Sequence, residues 1–142
     1  MILKKRNSYT NFYLLLLILL LLTISCSSQN QIKNTAKIKY VSLDIMTPID
    51  VSCKDFEDSF GKQVKILSIN SEKEIFYLKK CIKQLVKDDT VKSADIRIKI
   101  EINNYDTTDV ICLDRFHIYR NGQFYKMDPG LMQFLNEKIE KN

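Results

Sequence analysis

Ile96-Arg97-Ile98-Lys99-Ile100-Glu101-Ile102-Asn103 is the stretch whose reading decides the fold. Isoleucine alternates with a polar or charged residue throughout, which is the two-residue period of a strand buried on one face and wet on the other. Such a strand needs antiparallel neighbours and an apolar layer over its isoleucine face. The flanking sequence offers both. Downstream, Asn104 to Asp109 is a polar connection and Val110 to Leu113 reads as a returning strand. Phe116–Tyr119 and Phe124–Met127 flank Asn121-Gly122, a pair suited to positive φ at both central positions of a tight hairpin. Asp128-Pro129 then reads as the N-cap and first residue of a helix with an apolar stripe of Leu131, Phe134, Leu135 and Ile139.

Upstream, Ser71-Glu72-Lys73-Glu74 has the capping-box pattern, and Ile75, Leu78, Ile82, Leu85 and Val86 recur at helical spacing. The spacing predicts a helix over 72–87, ended by Asp88-Asp89-Thr90. Gln63 to Ile69 reads as a strand after a turn at Gly61. Lys37 to Val51 alternates in part, as a strand ending near Pro48. Between those two, 54–60 is expected to be a polar loop tied down by Phe56 and Phe60. The expected fold is α+β: an antiparallel sheet of about four to five strands with two helices packed on one face, in the order β-β-α-β-β-β-α.

The N-terminus carries an address. Lys4, Lys5 and Arg6 precede Phe12 to Leu22, an unbroken apolar run of eleven residues. That run is short of the ~20 residues a spanning helix needs and fits the ~7–15 of a signal segment. Small Ser25 and then Cys26 follow, with polar Ser27, Ser28, Gln29 and Asn30 beyond. Residues 1–26 resemble the lipobox-type signal peptide of bacterial lipoproteins. Thr23 holds the position where that class carries an aliphatic residue, with Leu22 one place early. The resemblance implies diacylglycerol on the Cys26 sulfur and cleavage between Ser25 and Cys26. Two acyl chains anchor stably where one does not. The expected location is the cell membrane or the outer membrane, with the domain outside the cytoplasm; Ser27 is unlike the Asp that resembles an inner-membrane retention signal in enteric bacteria, which in a host with two membranes favours the outer one.

The resulting organisation is a cleaved signal over 1–25, a lipidated Cys26 with a flexible tether to residue 36, and a single α+β domain over 37–142. The tether reaches roughly 15–20 Å. Removing Lys4, Lys5 and Arg6 reduces the basic residues from 22 to 19 against 17 acidic ones, a side-chain balance of +2. Lysines and acids are interspersed, which argues against nucleic acid as a partner. Three cysteines remain in the mature chain: Cys53, Cys81 and Cys112. Outside the cytoplasm they make one disulfide and a spare thiol, or three buried thiols, and their spacing does not choose the pair.

Chemistry-bearing motifs are sparse. His117 is the sole histidine, and alternation sets it opposite to Phe116 and Ile118 on its strand. A Cys112–His117 nucleophile pair is the basis of a competing reading as a small Cys-dependent hydrolase or redox protein. The 103–109 loop is rich in Asn, Asp and Thr, but lacks the central Gly and closing Glu of an EF-hand. Neither a cofactor nor a metal is expected. Tyr119, Phe124 and Tyr125 around the hairpin are the candidate partner-binding aromatics. The sequence favours non-catalytic binding or scaffolding, with the membrane as one partner through Cys26 and an envelope protein or cell-wall component as the other. An inhibitor or immunity-type lipoprotein acting on an envelope enzyme or toxin is the alternative among non-enzymes.

Overall fold

The computed structural model describes residues 34–104 and 106–141. The expected signal peptide, its expected cleavage site Ser25–Cys26 and most of the expected tether lie outside the described residues, as does Tyr105. The chain is α+β, and its sheet is antiparallel with six strands in the spatial order β2-β1-β3-β4-β5-β6. They are β1 (Thr35–Tyr40), β2 (Lys65–Ile69), β3 (Ile98–Asn103), β4 (Thr108–Leu113), β5 (His117–Arg120) and β6 (Gln123–Lys126). Three helices accompany them: α1 (Phe56–Phe60), α2 (Glu72–Lys83) and α3 (Pro129–Glu140). The sheet is thus larger than the expected four to five strands, because both arms of the Asn-Gly hairpin join it as separate strands. The third helix is the short α1.

The isoleucine alternation holds along β3, where Ile98, Ile100 and Ile102 are buried and Lys99, Glu101 and Asn103 are not. These isoleucines meet Ile38 of β1 and Ile111 and Leu113 of β4, under Leu78 and Ile82 of α2 and Leu131 and Leu135 of α3. Burying each such side chain contributes about 1.5–3 kcal/mol, so this layer holds the domain together. β1 starts at Thr35, and Ala36, fully buried, pairs with Ile69 and Ile102. The last two residues of the expected tether are therefore part of the sheet.

Ile96 departs from the pattern. It packs in a second cluster on the opposite face with Val41, Val51, Phe56, Phe60, Ala94 and Cys112. That face was expected to be wet, but the 41–64 connection folds back across part of it. Both phenylalanines of the expected loop are anchors, yet they belong to a helix: Phe56 and Phe60 sit one turn apart with ring centroids 5.3 Å apart, edge to face. The first strand also stops at Tyr40 rather than near Pro48, because Val41 and Val51 serve this second cluster.

Arg97 is the one buried charged residue among those described, 4 % exposed. Its guanidinium donates to the Ile45 carbonyl (3.0 Å), to Thr47 Oγ1 (2.9 Å) and to both carboxylate oxygens of Asp95. Asp95 Oδ1 also accepts the Val51 amide at 2.9 Å. A buried guanidinium needs such partners to offset its desolvation, and the same bonds fix the 42–51 loop to the start of β3. Arg97 also lies over the Phe60 ring, 5.1 Å from its centroid.

Two helix boundaries test the local signals. Asp128 caps α3 as expected, accepting the Leu131 amide at 2.7 Å with Pro129 at the first position. Ser71 stands at the N-cap of α2 but makes no side-chain cap bond, so the expected capping box does not form. α2 ends at Lys83, four residues before the expected stop. The Asp88 amide donates to the Phe124 carbonyl and the Lys126 amide to the Val86 carbonyl. The chain beyond α2 thus covers the β6 edge, which would otherwise be open to pairing with another chain. Val86, expected on the apolar stripe, is exposed there.

Candidate functional site

On the second face of the sheet, Lys39 of β1 stands directly opposite Lys99 of β3. Like charges so placed repel. Glu57 of α1 bridges them, Oε1 accepting from Lys39 at 3.0 Å and Oε2 from Lys99 at 2.8 Å, and Glu101 accepts a second bond from Lys39. Burial alone would raise the Glu57 carboxyl, but hydrogen bonds from Lys99 and Lys39 outweigh it and hold the pKa below the ordinary carboxylate value. Burial likewise pulls the Lys39 ammonium down, and its bonds to Glu101 and Glu57 more than offset this. The network docks α1 onto the sheet. No local spacing announces it, because Glu57 lies 18 residues from Lys39 and 42 from Lys99.

The disulfide joins Cys53 to Cys112 across 59 residues, and Cys81 is a buried free thiol. This bond attaches the loop before α1 to the C-terminal end of β4. Cys112 is fully buried. Its sulfur is bonded to Cys53 and offers no thiol, which a Cys112–His117 nucleophile pair, the basis of the competing reading, requires. His117 Nδ1 instead faces Asp114 Oδ2 at 3.4 Å, and its amide donates to Asp114 Oδ1. Burial pushes the Cys81 thiol above its ordinary value, despite the hydrogen bond with Tyr77, so it is a poor nucleophile at neutral pH.

Beside the disulfide lies a cleft of about 510 Å³, within the size range of small-molecule sites. Ile96, Cys53, Tyr119 and Phe124 supply its apolar lining, and Asp50, Ser52, Lys54, Lys92, Ser93 and Lys99 its polar lining. Tyr119 and Phe124 are cross-strand partners on β5 and β6, with ring centroids 5.1 Å apart and planes tilted by 53°. The hairpin places them, and Asn121 (φ 50°) and Gly122 (φ 78°) adopt the positive φ its two-residue turn requires. The structure therefore brings together two of the three candidate aromatics. Tyr125, paired with Ile118, packs on the helix-covered face.

Within the cleft, Ser93 Oγ donates to Asp50 Oδ2 at 2.8 Å. Lys99 is held by Glu57, whereas Lys54 and Lys92 are exposed and make no ion pair among the described residues. A larger depression of about 640 Å³ against α3 is bordered by Arg115, Glu137 and Glu140, charges of both signs. The cleft differs in joining paired rings to two unengaged ammonium groups.

Three residues of the 103–109 segment commit side-chain oxygens to neighbouring groups. Asn103 Oδ1 accepts from Thr108 Oγ1, Asn104 Oδ1 from Lys79, and Asp109 takes a two-pronged pair from Arg120. Among the described residues, no group of three or more His, Cys, Asp or Glu is placed to hold a metal ion, and no helix is long and apolar enough to cross a membrane. No family model, curated protein or solved structure matches the chain.

Proposed function

We propose that this protein is a lipid-anchored lipoprotein of the cell envelope, held through diacylglycerol on Cys26, whose domain binds an envelope partner without catalysing a reaction on it. The observation that carries this reading is the Cys53–Cys112 disulfide. Such bonds persist in oxidising compartments and are rare in the reducing cytoplasm. That compartment agrees with the address read from residues 1–26, and the bond lies far from those residues in the sequence. The cleft next to the disulfide supports binding as the activity, because paired rings and unengaged lysines meet in one concavity.

Metabolic labelling with a fatty acid tests the anchor. The wild-type chain takes up label and shortens by its first 25 residues, and Cys26→Ala does neither. Retention of label by Cys26→Ala, or an unshortened wild-type chain, contradicts the proposal.

A further inference from the structure

The cleft combines three chemistries. Tyr119 and Phe124 present ring surface. Asp50 carries a carboxylate oxygen not engaged by Ser93, a ready acceptor for ligand hydroxyl groups. Lys54 and Lys92 line the cleft and make no ion pair among the described residues, so an approaching anion meets two ammonium groups against the single carboxylate of Asp50. A purely apolar ligand leaves the ammonium groups unused, and a polyanion needs a longer basic track than two side chains provide. A single ring bearing hydroxyls and one acidic group uses all three.

We propose that this cleft binds an anionic saccharide, its ring against Tyr119 and Phe124 and its carboxylate or phosphate held by Lys54 and Lys92. The inference rests on the binding reading above and names the ligand class for it. The acidic group can come from a uronic-type acid or from a sugar phosphate, which share the chemistry of an anion on a pyranose. Charged hydrogen bonds at the rim supply selectivity over neutral sugars, and the rings supply affinity that salt does not screen.

The test uses the intact lipidated chain in nanodiscs of zwitterionic lipid, so that the membrane does not compete for the lysines. Glucuronate, glucose 6-phosphate and glucose are titrated separately, with saturation transfer from the protein to the sugar as the readout. At least one anionic sugar binds at least tenfold more tightly than glucose, and 0.5 M salt weakens it. Binding of glucuronate alone selects the carboxylate source, and of glucose 6-phosphate alone the phosphate source. The double variant Lys54→Ala/Lys92→Ala weakens the anionic sugar at least tenfold. Both side chains are exposed, so the variant keeps its fold, checked by circular dichroism. Equal binding of glucose, an unaffected double variant, or no saturation transfer to any of the three sugars at about 10 mM overturns the proposal. Fatty-acid labelling of the same preparation separates the failures. A labelled chain that ignores these sugars loses only the ligand class, and an unlabelled chain that binds them loses only the anchor.

Discussion

Reducing the Cys53–Cys112 bond should cost this domain a large share of its stability. The bond closes a loop across 59 residues. The chain-entropy relation gives about 14 cal/mol/K for a loop of that length, or about 4 kcal/mol at 25 °C. Disulfides usually deliver somewhat less, so about 3–4 kcal/mol is expected here. Small domains have about 5–15 kcal/mol in total, which makes the loss a sizeable fraction. The assay is urea unfolding followed by circular dichroism, with and without excess reductant. With a urea slope of about 1.5–2 kcal/mol/M, the midpoint drops by about 2 M. The slope itself should rise, because an uncrosslinked unfolded chain exposes more surface. Cys53→Ala/Cys112→Ala should match the reduced wild type to within about 1 kcal/mol, the difference coming from the buried sulfur atoms lost. Midpoints that coincide with and without reductant would show that the bond contributes no stability, and peptide mapping that finds Cys81 in a disulfide would show that the pairing is wrong.

Three further outcomes follow from individual residues. Glu57→Gln removes the charge between Lys39 and Lys99 and should destabilise by about 1 kcal/mol, discounted because Glu57 is partly exposed. The Glu57 pKa is depressed on folding, so its contribution is complete above the ordinary value of 4.5 and fades as pH falls through the folded value. The wild-type and variant stabilities, measured by urea titration at several pH values, should therefore converge in acid; a gap that widens there contradicts the bridge. Asp128→Ala should cost about 1 kcal/mol through the lost cap on Leu131, measured by thermal unfolding, whereas Ser71→Ala, which removes no cap bond, should be close to neutral. Gly122→Ala should destabilise by about 1 kcal/mol from backbone strain at φ 78° alone, since a Cβ there meets nothing within 4 Å.

What was legible in the sequence is what a local period or a local cap encodes. Ile98, Ile100 and Ile102 alternate because one sheet face carries α2 and α3, and Asn121-Gly122 marks its turn through backbone conformation alone. Ile96 extends the same pattern but packs on the other face, in the cluster covered by the 41–64 connection. Val41, Val51, Phe56 and Phe60 build that cover at irregular spacing, so no periodicity announces it. The end of α2 was hidden for a related reason. Val86 continues the helical stripe, but the backbone at Val86 and Asp88 is engaged by β6, almost forty residues later in the chain. At the candidate site, Tyr119 and Phe124 could be named from the hairpin, and Tyr125 was separated from them only by strand alternation. Lys54 and Lys92 carry no sequence signal, since the disulfide and the Arg97 network decide which surface lysines face the cleft.

We propose above that a lipid on Cys26 holds an oxidised domain at a membrane, outside the cytoplasm. Intact-mass spectrometry of the protein extracted from the membrane fraction tests it most directly. The expected species begins at Cys26, heavier than its sequence by a diacylglyceryl group in place of the thiol hydrogen and lighter by two hydrogens for the Cys53–Cys112 bond. A chain that still carries residues 1–25, or one that begins at Cys26 with no added lipid, contradicts it.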